Sequence, residues 1–364
     1  MVSPTSNLKF KNLHFLSLAF EQAKINLGST GTNPSVGCVI EKNGTVLSSG
    51  RTSLKGRPHA EFNALKRNIN FKDSNIYITL EPCSHHGLTP PCTNKIIEKK
   101  IKKVFFSVFD EDLRSKYFSL KKLKKKKIIV KTGIQKKYGL FFYKSYFLKQ
   151  KNLLPYLDAK IAISKDYFTK NKKSRWISNI HSRRRAHLLR SYYDCILSTS
   201  KSINEDNSKL NCRIEGLKKQ SPAIAIIDRN FKLKKNIKLL KKKDNRKIYL
   251  FTTVLDKSKE NYFKKKGIKI IKLKKMKTYQ DFKNILFRLR RFGFSRVLLE
   301  SGLNFLNFFL LGKIIQNLYV FKTNKNLKRN GINYATPALL KKIKFKKKIR
   351  VNLLGDSLYK VNLK

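Results

Sequence analysis

Thr79-Leu80-Glu81-Pro82-Cys83-Ser84-His85-His86-Gly87-Leu88-Thr89-Pro90-Pro91-Cys92, read together with Pro58-His59-Ala60-Glu61 upstream, decides how the first half of this chain folds and what chemistry it can do. One imidazole and two thiols form a donor set for tetrahedral Zn2+, and three protein ligands leave the fourth position open, as a catalytic site requires. His59, Cys83 and Cys92 supply that set. Glu61 stands two residues past the histidine, at the start of the same expected helix. There it suits a general acid/base that moves protons without binding the metal. His85 and His86 sit in a polar loop beside Gly87 and are expected to meet substrate or solvent, not metal.

Working outward, Leu13, Leu16, Phe20, Ala23 and Leu27 recur at steps of three and four, predicting a first helix that ends at Gly28. Gly37 to Ile40 and Thr45 to Leu47 flank Asn43-Gly44, which predicts a hairpin. A helix from about His59 to Asn68, a strand Ile76 to Leu80, a helix from about Cys92 to Lys100 and a strand Val104 to Val108 follow. This alternation is a crossover unit and predicts an α/β fold, its mixed or parallel sheet covered by helices. Cys83 then follows a strand and Cys92 opens a helix, where the backbone dipoles favour thiolate. After Asp110 the chain is Lys-rich and weakly patterned, and Phe141 to Leu148 reads as a closing helix.

Leu153-Leu154-Pro155 marks a boundary, giving domains at 1–150 and 155–364. Beyond it, strands are expected at Tyr156 to Ile163, Cys195 to Leu197, Ala223 to Ile227, Lys247 to Phe251, Ile268 to Ile271 and Val297 to Leu299, with a helix over Arg183 to Arg190. The second domain also reads as α/β. No Gly-x-Gly-x-x-Gly follows a strand, so a Rossmann dinucleotide site is not supported.

Composition bounds the rest. The 364 residues exceed a usual single domain, and a 41% hydrophobic content excludes a disordered polycation. Lys and Arg number 83 against 22 acids, a net charge of +61, but they recur along the whole chain in clusters such as Lys121 to Lys127 and Lys346 to Lys348. Such a pattern reads as a solvated basic surface, and nucleic acid is not expected as a partner. Five cysteines make no disulfide framework; Cys38, Cys195 and Cys212 are expected as buried thiols. With neither a membrane span nor a signal peptide expected, a cytoplasmic homo-oligomer is the expectation.

The segment Asn33-Pro34-Ser35-Val36-Gly37-Cys38-Val39 and the two quoted above closely resemble the deaminase half of the bifunctional riboflavin biosynthesis deaminase/reductase family. The eight residues between Cys83 and Cys92 are the specific part, since cytidine and tRNA adenosine deaminases usually place only two there. The resemblance implies a cytidine-deaminase-like three-layer domain with Asn33 in its pocket. It also implies a phosphorylated pyrimidine substrate, 2,5-diamino-6-ribosylamino-4(3H)-pyrimidinone 5′-phosphate, whose 2-amino group is exchanged for oxygen. Thr52 stands where the family commonly has histidine, and Asp110-Glu111-Asp112-Leu113 replaces an Asp-Pro-Asn-Pro loop.

Downstream, Pro155 to Lys160, Ser164-Lys165-Asp166, Ser174 to Ser178, Leu188-Leu189-Arg190, Ser202 to Asp206 and Leu299-Glu300-Ser301-Gly302 match the reductase half of that family in order. That half resembles dihydrofolate reductase, which binds NADPH without the glycine fingerprint. The resemblance implies that Ala162, Trp176, Ser202, Asp206 and Gly302 contact NADPH. It implies that Lys160, Ser174, Arg190, Leu210, Arg213 and Glu300 face the substrate, with Arg190 and Arg213 suited to clamping its phosphate. Here the departures are more numerous: Tyr167, Asn207-Ser208, Gln316, Asn324 and Lys328 replace other family residues. The implied function is zinc-dependent deamination followed by NADPH-dependent reduction of the ribosyl to the ribityl side chain. The alternatives are a deaminase with a degenerate second domain, a tRNA or nucleoside deaminase, and a polyanion-binding protein.

Overall fold

A computed structural model describes residues 4–151, 153–241 and 246–363. The chain forms two compact units, Met1–Leu153 and Leu154–Lys364.

In the first unit, α1 (Pro4–Ile25) is followed by the hairpin of β1 (Gly37–Lys42) and β2 (Thr45–Arg51). Asn43 and Gly44 turn it with φ of 51° and 89°, the left-handed pair that a tight hairpin of this twist requires. Next come α2 (Ala60–Leu65), β3 (Asn75–Leu80), α3 (Cys92–Glu98) and β4 (Lys103–Val108). The Lys-rich stretch then forms α4 (Phe118–Lys125), which buries Ser119 and Leu123, one turn apart. β5 (Ile129–Thr132) completes a sheet of order β2-β1-β3-β4-β5, antiparallel around β1 and parallel from β3 onward. The expected closing helix over Phe141 to Leu148 is instead two helices, α5 (Lys136–Phe142) and α6 (Lys144–Gln150). At their joint the buried Tyr143 points its hydroxyl inward, 2.5 Å from Thr79 Oγ1 and 3.2 Å from Ser35 O, which fixes the break. β3 and β4 are buried on both faces, and Leu16, Phe20, Ile78 and Phe106 sit at the centre of the core.

In the second unit, β6 (Tyr156–Ile163), β8 (Cys195–Thr199), β9 (Ala223–Ile227), β10 (Ile248–Thr252), β11 (Ile268–Lys272), β12 (Arg296–Glu300), β13 (Asn317–Lys322) and β15 (Ser357–Asn362) make one sheet. β7 (Lys170–Asn171) and β14 (Gly331–Ile332) pair separately. The large sheet has the order β11-β10-β9-β8-β12-β6-β13-β15, and all its pairings are parallel except the last. Neighbouring β12 and β8 end at Glu300 and Thr199, and α7 (Ile180–Arg190) and α8 (Ser200–Asp206) flank β8 in sequence. The carboxyl ends of parallel strands are where an α/β sheet presents its ligands.

Candidate functional site

The first unit brings its chemistry together by packing α2 tightly on β2. A Cβ at Gly50 would lie 2.3 Å from Ala60 O and 2.5 Å from Ala64 N, so only glycine permits the approach. His59 precedes α2 in extended conformation, Cys83 follows β3, and Cys92 is the first residue of α3. His59 Nδ1 lies 3.6 Å from Cys83 Sγ and 3.5 Å from Cys92 Sγ, and the three donor atoms fall within 4.8 Å of one another. Ligands of a tetrahedral zinc with bonds of roughly 2.05 Å to nitrogen and 2.3 Å to sulfur sit about 3.6 Å apart, so these residues fit the ion. Among the described residues this is the one cluster of three or more metal-capable side chains. His85 is held outside it by Ser115 Oγ at 2.9 Å, and His86 is exposed.

The two thiols are pushed apart, one toward thiolate and one toward thiol. The hydrogen bond from Cys92, supported against burial by His59, holds Cys83 down to about 4. That bond and burial push Cys92 well above the ordinary thiol range. Burial, then the charge of Cys83, push the Glu61 carboxyl up to about 7, and its exposure is only 3%. Asn33 donates its amide to Gly56 O at 2.9 Å, which sets it against the turn leading into His59. Thr52 is buried, and its hydroxyl accepts from Val36 N at 2.9 Å, a structural bond within the strands.

Sequence reasoning gave Glu81 no role, yet its buried carboxylate organises the loop after β4. It accepts from Asp110 N and Tyr117 N at 3.2 Å each and from Ser119 Oγ at 2.6 Å, tying the segment that carries Cys83 to the replaced loop. A Glu two residues before a candidate ligand, in a stretch otherwise apolar, was the available signal.

In the second unit every residue expected to touch cofactor or substrate lines one cavity of about 1580 Å³, from Lys160 and Ala162 to Glu300 and Gly302. Ser174, Trp176, Asp206 and Leu210 all line it, and the guanidinium groups of Arg175 and Arg183 each lie 4.8 Å from the Trp176 ring. Gly302 N–H donates to Ser202 Oγ at 3.2 Å, joining two segments expected at the cofactor. The helix Leu303–Leu311 begins there, and Leu303, Asn304 and Phe305 of its first turn line the cavity; a helix N-terminus suits a pyrophosphate. Lys and Arg outnumber acids severalfold around it, a second reason it suits a phosphorylated dinucleotide and a phosphorylated substrate.

Arg190 and Glu300 form a forked pair, Nε to Oε1 at 2.6 Å and Nη2 to Oε2 at 2.9 Å, with Lys160 Nζ 3.9 Å from Oε2. Burial alone would raise Glu300, but the Arg190 guanidinium overrides it and holds the carboxyl down to about 2. Lys160 is lowered by burial, partly offset by Glu300.

An imidazole before α2, a thiol after β3 and a thiol opening α3, gathered on a mixed sheet, fit the zinc site of a deaminase of the cytidine deaminase class. Residues 11–108 match the cytidine and deoxycytidylate deaminase zinc-binding region, and residues 155–325 match the RibD C-terminal domain. The chain is 30% identical over 311 residues to the riboflavin biosynthesis protein RibD of Aquifex aeolicus, covering 85% of each chain. It is 30% identical over 344 residues to RibD of Buchnera aphidicola, covering 90% of each. The fold matches a Thermotoga maritima deaminase/reductase structure with TM-score 0.81 at 24% identity, covering 97% of this chain and 99% of that one. It also matches Acinetobacter baumannii RibD with TM-score 0.79 at 23% identity and the same coverage.

The chain belongs to the RibD family of riboflavin biosynthesis proteins. It is a bifunctional enzyme with deaminase and reductase activities, and its two domains are consistent with Zn2+ and NADPH as cofactors. A tRNA or nucleoside deaminase and a deaminase with a degenerate second half are not favoured, because the family match runs through both units. Among the described residues no helix is long and apolar enough to cross a membrane.

Proposed function

We propose that residues 1–150 deaminate the 2-amino group of 2,5-diamino-6-ribosylamino-4(3H)-pyrimidinone 5′-phosphate and that residues 155–364 reduce the ribosyl chain of the product to ribityl. The observation that carries the first step is the buried Glu61 beside a zinc-sized cluster of His59, Cys83 and Cys92. Those three residues would hold zinc, which supplies the Lewis acidity that makes hydroxide available near neutral pH. Glu61 takes the proton lost as water adds to the ring carbon, and returns it to the ammonia that leaves. A buried carboxyl beside the cluster suits a proton carrier. Asn33, held by its bond to Gly56 O, orients the pyrimidine.

In the second step NADPH supplies the hydride. Ala162, Trp176, Ser202, Asp206 and Gly302 hold the cofactor, and Lys160, Ser174, Arg190, Leu210, Arg213 and Glu300 hold the sugar phosphate; their convergence on one basic cavity supports this division. The proposed setting is a homo-oligomer in the cytoplasm, where the five free cysteines stay reduced.

Glu61→Gln tests the first step. The variant is expected to keep its zinc by metal analysis and to lose about a hundredfold or more in ammonia release. Ammonia release at the wild-type rate would remove Glu61 from the mechanism.

A further inference from the structure

We propose that His187 is a positioning residue that holds Arg213 as the anion-binding guanidinium of the reductase cavity. This rests on the reading that Arg213 binds the substrate phosphate. Of the two arginines expected at the substrate, Arg190 has its Nε and Nη2 engaged by Glu300. Arg213 has no carboxylate partner among the described residues; what it touches is His187, whose Nε2 lies 3.1 Å from Arg213 Nε and 2.8 Å from Arg213 Nη2.

Hydrogen-bond chemistry fixes the state of that imidazole. His187 Nδ1 lies 2.6 Å from Asn211 O and 3.2 Å from Arg190 Nη1; the nearer group is a carbonyl, which can only accept, and Nε2 faces only donors, so Nδ1 carries the proton. Nε2 is therefore a lone pair, facing a guanidinium that can only donate. Burial, then the charges of Arg190 and Arg213, push His187 down to about 4, so it stays neutral in this role. A carboxylate here would neutralise Arg213, whereas neutral imidazole orients the guanidinium and leaves its full charge for an anion. Burial and the repulsion of Arg190, Arg175 and Arg183 leave Arg213 in need of a negative partner.

The loop bearing Arg213 has other anchors. Arg246 donates to Lys209 O at 2.9 Å and Leu210 O at 3.0 Å, and Cys212 N–H donates to Ser221 Oγ at 3.1 Å. Replacing His187 therefore frees the guanidinium before it frees the loop.

The test is calorimetric titration of the NADPH-loaded full chain with ribose 5-phosphate, and with ribose as the phosphate-free control. Arg213→Ala, His187→Leu and His187→Asn are expected to weaken ribose 5-phosphate binding roughly tenfold or more, because each removes a hydrogen bond to a charged group. His187→Gln, whose amide oxygen can take the place of Nε2, is expected to keep affinity within about threefold of wild type. A structural role would not separate Gln from Asn, so this contrast decides the matter even where His187→Leu fails to fold. Equal affinities for His187→Asn and His187→Gln, with Arg213→Ala weakened, would overturn the proposal and leave Arg213 as a phosphate ligand. No loss in Arg213→Ala, or no binding of ribose 5-phosphate to the wild type, would overturn both.

Discussion

Glu300 keeps a charge with almost no water around it, and Arg190 is what permits that. Because its folded pKa is about 2, below the ordinary carboxylate value, its contribution to stability is complete above the ordinary value and drains away as pH falls toward 2. Glu300→Gln leaves a buried guanidinium half paired and is expected to cost about 3–5 kcal/mol at neutral pH. Unfolding followed from pH 6 to pH 3 should then show a shallower acid loss in the variant than in the wild type; parallel curves would mean that the pair is not the cause. The gathering of His59, Cys83 and Cys92 was legible from sequence, because an imidazole and two thiols have few alternatives for what they do together. The pairing of Arg190 with Glu300 was not, since 110 residues separate two common side chains and only the meeting of α7 with β12 brings them into register. His187 was hidden for the same reason: a histidine on a helix shows nothing of the carbonyl and guanidinium that the fold sets on either side of it.

At the scale of elements, the first unit was more readable than the second. Asn43-Gly44 announces its hairpin, and the apolar runs of β3 and β4 stand out because both faces are buried. The helix Tyr279–Arg291 went unread although Thr278 and Asp281 cap it reciprocally, because Lys and Arg interrupt its apolar stripe of Phe282, Ile285, Leu286 and Leu289. β13 and β15 were missed as well; β15 lies at the sheet edge with mostly half-buried residues and little pattern. One close approach places the metal ligands. Gly50→Ala would drive a Cβ into the backbone of α2, displacing His59 and Glu61 together. Ammonia release is expected to fall about a hundredfold, as a misplacement of about 1 Å can produce, while NADPH oxidation with the deaminated substrate continues. Unchanged deamination would show that α2 can move without consequence.

Over the whole molecule the two units divide the work. One holds a compact, metal-sized cluster with a proton carrier, the other an open basic cavity to which eleven expected contacts converge. In the proposed function the net charge of +61 has a local use at that cavity, whose lining is rich in Lys and Arg suited to phosphates, and elsewhere it reads as solvated surface. Of the departures at Tyr167, Asn207, Ser208, Gln316, Asn324 and Lys328, Lys328 keeps its backbone tied to Asp166, which accepts from Leu327 N and Lys328 N at 3.0 Å and 2.8 Å. Reduction is therefore the step most exposed to experiment. The direct measurement is to incubate the zinc-loaded protein with the diaminopyrimidine ribosyl phosphate, with and without NADPH, and to weigh the products. Exchange of one amino group for oxygen without NADPH, followed by the gain of two hydrogens once NADPH is added, is the predicted result. Deamination with no further mass change and no NADPH oxidation would contradict it.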